Sequence, residues 1–391
     1  MAENLSLRNQ DEQGKQRKEE SMLRPTKEKM VGLGCGFVVT VLILLNMMTV
    51  STAWAASLPK VIQLTVCTTP GGGSDAFARY LVVWLPKFLP EKHQFVIKYM
   101  PGAGNTMGRN HVYNAAPNDG SVWVITSTGD QLAGLYGWKA IKYDIRKQKP
   151  AIGLSGGTLI YTTQKIAKNW DEVYEKEILV WGYQPAYASQ QDAFVLLAQE
   201  MLGFKVKKYI FSYGGSGDAR RGFLAKEINF SGTTVNSYPA FDKELEESGE
   251  LTMVMQLGDF DEQGKVIRID PPVGHVPTLY ELYKKKHGKE PSGPAWNAYK
   301  ALIALAGSLD KTVCFPPTMD PQLCNIVAEA GEKMAKDPAA IADAQKRFPG
   351  LSIVTGKKLQ KVYEEQVVGA DPEGVKWLKQ LVINKGGVVD K

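Results

Sequence analysis

Two stretches of this chain put glycines and small polar residues where a strand gives way to a helix. Thr69-Pro70-Gly71-Gly72-Gly73-Ser74-Asp75 lies between an apolar run and an amphipathic one. Met100-Pro101-Gly102-Ala103-Gly104-Asn105 follows a second apolar run. A strand that enters such a turn and leaves as a helix exposes the helix's first backbone N–H groups. Those groups carry partial positive charge and suit a carboxylate or a phosphate. Three successive glycines let a bound group approach the backbone with no Cβ in the way. Ser74 adds a hydroxyl, and Asp75 reads as the cap of the following helix. Either turn alone is an ordinary tight connection; the repetition points to anion binding.

Other chemistries are poorly supplied. Gly72-Gly73-Ser74-Asp75-Ala76 and Gly214-Gly215-Ser216-Gly217-Asp218 each miss the Gly-x-Ser-x-Gly nucleophile elbow at its last position. The four histidines, His93, His111, His275 and His287, stand in no Ser/Asp setting that marks a triad. Gly102 to Gly108 brings its third glycine one place late for a dinucleotide fingerprint, and after the second strand rather than the first. No Cys/His cluster has metal-ligand spacing. The carboxylate pairs Glu19-Glu20 and Glu364-Glu365 fall in the N-terminal segment and on a helical surface pattern. No cofactor and no metal are expected. Arg220 and Arg221 open a helix, where cations oppose its dipole; one could meet a second ligand carboxylate, but surface pairing with Asp218 or Glu227 is preferred. Tyr187, Tyr213 and Trp181 are candidates for the walls of a cleft, with core packing the alternative for Trp181.

The elements that must hold these turns alternate between strand and helix. Val61 to Val66 reads as a strand, and the helix after the first turn repeats apolar residues at Phe77, Leu81 and Leu85 until Pro86 ends or kinks it. Phe95–Tyr99 is a second strand, Met107–Ala115 a helix, Pro117-Asn118-Asp119-Gly120 a turn and Val122–Thr126 a third strand. The order then repeats. Ile178–Trp181 is a strand, 190–201 a helix and Lys207–Phe211 a strand; Ser212 to Gly217 is a turn into a helix, and Ile228–Ser231 is a strand. Two such units predict two α/β lobes with parallel sheets, and ligands of open α/β sheets bind at the carboxyl ends of the strands. Lobe 1 is expected over 57–158, lobe 2 over 159–250, and 251–391 as a return to lobe 1 with C-terminal helices. Within that last part, Leu251–Leu257 reads as a strand, Lys284-Lys285-Lys286-His287 as a solvated loop, and Pro321–Lys336 and Ala339–Phe348 as helices.

Composition bounds the setting. The 391 residues are 44% hydrophobic, ordinary for a globular chain of two or three domains. Residues 1–56 read as an export signal. Arg24, Lys27 and Lys29 precede the apolar run from Val31 to Leu45, and Ala53-Trp54-Ala55 offers a signal-peptidase site. A cleaved signal and a periplasmic mature chain are expected, with an uncleaved inner-membrane anchor as the alternative. Export leaves Cys67, expected as a small buried hydrophobe, and Cys314 and Cys324, which could pair or stay free. The net charge of +6 is spread along the chain, so nucleic-acid binding is not expected.

The order Pro70-Gly71-Gly72-Gly73-Ser74-Asp75, Met100-Pro101-Gly102-Ala103-Gly104 and Ala116-Pro117-Asn118-Asp119-Gly120 resembles the extracytoplasmic solute receptors of tripartite tricarboxylate transporters, the Bug or TctC family. Tyr213-Gly214-Gly215-Ser216-Gly217, His275-Val276-Pro277-Thr278-Leu279 and the stretch from Pro317 to Pro338 extend the likeness over about 58–371. The resemblance implies an α/β, two-lobed periplasmic-binding-protein-like (type II) fold that closes on a hinge over a small organic carboxylate, di- or tricarboxylates favoured. It implies no enzyme activity, and as partners the large and small subunits of a membrane permease. It assigns ligand contacts to Gly72, Gly73, Ser74 and Asp75, with Thr128 beyond the third strand. In the second lobe this chain departs from the usual glycine/serine-rich turn, having Gln184 to Ser189; Tyr187, Ala188, Ser189 and Tyr213 are the candidates there. An exported α/β enzyme acting on a carboxylate, and a sensory receptor without a transport role, are the competing readings.

Overall fold

The computed structural model describes residues 56–184 and 189–386. From Ser57 onward the chain is one compact unit. The export signal expected over 1–56 lies, but for Ala56, outside the described residues, as do Tyr187 and Ala188. Among the described residues no helix is long and apolar enough to cross a membrane.

Two sheets organise the chain. The first has the order β13-β4-β12-β3-β1-β2, built from β1 (Val61–Val66), β2 (Gln94–Tyr99), β3 (Val122–Ser127), β4 (Lys149–Leu154), β12 (Lys311–Phe315) and β13 (Ile353–Thr355). The second has the order β7-β6-β8-β5-β9, from β5 (Thr158–Thr162), β6 (Val180–Tyr183), β7 (Lys208–Phe211), β8 (Phe230–Thr234) and β9 (Thr252–Gln256). A two-residue ladder pairs β10 (Asp259–Phe260) with β11 (Val266–Ile267). Burial follows position: β5, β8 and β12 are buried along their whole length, as strands covered on both faces must be. Edge strand β2 alternates instead.

The helices that matter for the site follow the parallel strands. These are α1 (Gly73–Trp84), α2 (Thr106–Ala115), α3 (Thr128–Tyr136), α4 (Gln190–Leu202) and α5 (Ser216–Leu224). Phe77, Leu81 and Leu85 are buried as their four-residue recurrence requires, and Pro86 turns the end of α1 into a short 3-10 stretch. Further on come α6 (Leu279–His287), α7 (Pro294–Leu309), α8 (Pro321–Met334), α9 (Pro338–Arg347), α10 (Gly356–Val362) and α11 (Pro372–Gly386). Helix α11 packs against α7 and α4.

Four expectations need correcting. The sheets are mixed rather than parallel: β12 runs antiparallel to β3 and β4, β13 to β4, and β5 to β8 and β9. Strand β9 belongs to the second sheet, so that sheet runs past residue 250. Lys284 to His287 form the last turn of α6, not a loop; there the helix dipole favours cations, and Thr278 with Glu281 closes a capping box at the other end. Strand β6 falls two residues later than its apolar run indicated, and β8 starts two and ends three residues later. Cys67, Cys314 and Cys324 are all unpaired, with Cys67 and Cys314 buried.

Candidate ligand-binding cleft

The glycine turn after β1 meets the one after β7, Ser212 to Gly217. The N–H of Thr69 donates to the carbonyl of Gly214 at 3.1 Å, and Arg220 Nη1 donates to the carbonyl of Gly71 at 2.9 Å. Gln184 Nε2 donates to Asn105 Oδ1 at 2.5 Å, joining the loop after β6 to the turn after β2. Glycine is needed here for closeness as much as for backbone angle. A Cβ on Gly217 would lie 2.1 Å from the carbonyl oxygen of Pro70, and one on Gly73 would lie 2.0 Å from Asn236 Oδ1. Gly71, at φ +84°, and Gly215, at φ +144°, carry the angles that other residues avoid.

At this seam four helix N-termini converge on a cavity of about 30 Å³. Helix α1 brings Gly72, Gly73 and Ser74, α3 brings Ser127 and Gly129, α4 brings Gln190 and Gln191, and α5 brings Ser216. The termini differ in capping. Ser127 and Asp130 close a capping box on α3, and the Ser189 hydroxyl accepts the Asp192 N–H on α4. Helices α1 and α5 start from Gly72 and Gly215, which offer no side chain, so the N–H groups of Gly73, Ser74 and Ser216 have no acceptor among the described residues. Uncapped N-termini of this kind are ready-made anion sites. All of these termini sit at the carboxyl ends of β1, β3, β6 and β7, where ligands of open α/β sheets bind.

Charge on the cavity wall has one sign. Lys311, at the start of β12 and 3% exposed, is the only charged side chain among the described residues lining it. Its ammonium lies 2.7 Å from Asp310 Oδ2. Asp310 stands behind the wall and also accepts from Thr128 Oγ1 at 3.2 Å and Asn236 Nδ2 at 2.8 Å, which ties the segments after β3 and β8 together. The Tyr183 hydroxyl pairs with Ser216 Oγ at 2.6 Å, and burial raises its pKa so that it stays a neutral phenol.

The sequence candidates divide. Gly72, Gly73 and Ser74 lie on the cavity wall. Asp75 does not, and it is not the helix cap: it is the third residue of α1, and its oxygens accept from the Gly71 N–H (2.8 Å), Arg79 Nε (2.8 Å) and the Tyr99 hydroxyl (2.6 Å). It holds the turn in shape from behind. Thr128 reaches Asp310 rather than the cavity, and Tyr213 gives its hydroxyl to Glu227 at 2.9 Å. Ser189 is spent as the cap of α4, while the next two residues face the cavity. Trp181 packs in the core. Arg221 pairs with Asp218 at the surface, but Arg220 is buried against Asp242 at 2.6 Å. Sequence reasoning missed Thr68, Gln190 and Lys311 altogether, and read Asn105 only as part of a turn. Asn105 closes the Met100–Asn105 glycine motif and Gln190 follows the loop that ends at Ser189, so both were within reach; Lys311 belongs to no motif.

No protein-family model matches this chain, and no curated protein sequence does. Solved structures do. BugD, a periplasmic binding protein, aligns with a TM-score of 0.63 at 17% identity, over 84% of this chain and 98% of its own. The fold is that of a periplasmic binding protein. MatC from Rhodopseudomonas palustris, solved with malate, shares this periplasmic-binding fold at TM-score 0.61 and 15% identity, over 83% of this chain and 100% of its own. A second R. palustris protein, solved with adipate, gives 0.63 and 17%, over 85% and 99%. At these identities the likeness is one of fold.

Proposed function

We propose that this protein is an extracytoplasmic solute-binding receptor. It captures a small organic carboxylate by closing its two sheet-centred lobes, and delivers it to a large and a small membrane subunit of the tripartite tricarboxylate type. The observation that carries the reading is the convergence of helix N-termini, two of them uncapped, on a cavity whose only charged wall residue among the described residues is Lys311. A carboxylate there accepts from the N–H groups of Gly73, Ser74 and Ser216 and meets no acidic side chain on the wall among the described residues. The malate and adipate in the two R. palustris structures of the same fold support this ligand class. The N-terminal charge and hydropathy pattern supports export, and the Pro70–Asp75 and Met100–Gly104 motifs support the permease partners. The chain passes between the sheets after β4 and again between β9 and β12, and these crossings are the natural hinge. Closure follows from differential affinity: the anion is gripped from both sides only in the closed state.

Thermal unfolding of the purified protein with malate, succinate, citrate and adipate at millimolar concentration tests the reading. A ligand at a hundred times its dissociation constant stabilises by about 2.7 kcal/mol, a shift of a few degrees at this size. A selective shift with one or more acids is expected. No shift with any acid, in protein freed of co-purified ligand by unfolding and refolding, would remove the receptor reading.

A further inference from the structure

Gln190, the first residue of α4, is 2% exposed and lines the cavity, and neither atom of its carboxamide has a hydrogen-bond partner among the described residues. Thr68 Oγ1, on the cavity wall beyond β1, is in the same condition. Burying such groups unpaired is costly, and on a cavity wall a bound group can complete them. The unmade pair in Gln190 is one donor and one acceptor. An ionised carboxylate only accepts, so it satisfies half of that carboxamide. A hydroxyl both donates and accepts, so it satisfies the whole. The rest of the wall agrees. Its side chains are hydroxyls, carboxamides, one phenol and one ammonium, with no Val, Leu, Ile, Met or Phe among the described residues. Ligand pockets are usually lined mostly by apolar groups. Among the described residues the wall offers a hydrocarbon chain no aliphatic side chain to pack against.

We infer that the site selects a compact hydroxy acid, with Gln190 reading the hydroxyl while the carboxylate sits on the N-termini of α1 and α5. This rests on the carboxylate reading above and narrows it. Thr68 Oγ1 supplies a second polar contact for the same hydroxylated part of the ligand.

Calorimetric titration of the purified protein with two pairs of acids tests it: malate against succinate, and lactate against propionate. Each pair differs by one hydroxyl. The hydroxylated member of at least one pair is expected to bind roughly tenfold or more tighter, because a site built to hydrogen-bond a hydroxyl rejects the analogue that lacks it. In Gln190→Leu the difference should vanish, chiefly through weaker binding of the hydroxy acid. The unliganded unfolding midpoint of that variant should stay level or rise, since an unpaired buried amide has been removed. Gln190→Met serves the same purpose should the leucine variant not fold. Equal affinities within both pairs, or a preference that survives the substitution, would overturn the inference and leave the carboxylate reading standing. Failure of the unaltered protein to bind any of the four acids would overturn the inference, and would remove the carboxylate reading as well where citrate and adipate also give no unfolding shift.

Discussion

Asp192 is fully buried behind the cavity wall, one residue beyond Gln191, and accepts from Trp181 Nε1 at 2.5 Å while its other oxygen has no partner among the described residues. Burial pushes its carboxyl up to about 8, against hydrogen bonds from Ser189 and Trp181 that favour the charged form. An unfolded chain loses this proton near pH ~3.9. The folded form therefore holds a proton the unfolded form has released. Its contribution to stability is fully present below about pH 4 and is lost as pH rises toward 8, at roughly 1.4 kcal/mol per pH unit. Asp192→Asn should remove most of that slope and raise stability at neutral pH, read as urea midpoints between pH 4.5 and 8; a variant with an unchanged slope would show the carboxyl to be ionised throughout. At this scale the sequence was legible where glycine and serine sit in a motif, as Gly72, Gly73 and Ser74 do. It was silent on Lys311 and Gln190, which owe their place to how distant elements fold together. Asp75 shows the opposite failure: the residue type fits a site, but the turn needs its carboxylate elsewhere.

Arg220 shows how an element is held to its task. It projects from α5 into the interior, where burial works against its charge but Asp242 more than compensates, so the guanidinium stays charged. Asp242 Oδ2 accepts from Thr233 Oγ1 at 2.9 Å, and Arg220 Nη1 reaches the Gly71 carbonyl on the facing turn. Arg220→Met should cost about 3–5 kcal/mol in urea unfolding by leaving Asp242 buried and uncompensated. Arg220→Met/Asp242→Asn should recover most of that loss; an equally unstable double variant would mean the damage is one of packing alone. Among elements, β1, α1, β2 and β3 could be read closely, because each glycine turn punctuates an apolar run. Strands β4, β5 and β12 escaped notice. They are buried antiparallel returns, and no strand–turn–helix unit announces them. Helix α7 escaped too, although Gly293 and Pro294 mark its start.

At the scale of the whole molecule, function reduces to whether two glycine-edged surfaces can touch. The repeated strand–helix units in the sequence were enough to anticipate two sheets with turns at their carboxyl ends. The antiparallel closure of each sheet, and the reach of the second one to Gln256, follow from long-range pairing that local pattern does not encode. The seam itself is sharply defined. Gly73 has no positive φ, so alanine is compatible with its place at the start of α1, yet its Cβ would strike Asn236 and Thr234 of the second sheet's segment, the latter at 2.5 Å from Oγ1. The substitution therefore addresses closure rather than folding. Calorimetric titration of Gly73→Ala, with whichever organic acid stabilises the unaltered protein most, tests the central claim directly. Affinity is expected to fall by about a hundredfold or more, equivalent to ~2.7 kcal/mol, with the unliganded unfolding midpoint unchanged or slightly raised. Binding of that acid by Gly73→Ala at the original affinity would contradict capture between closing lobes.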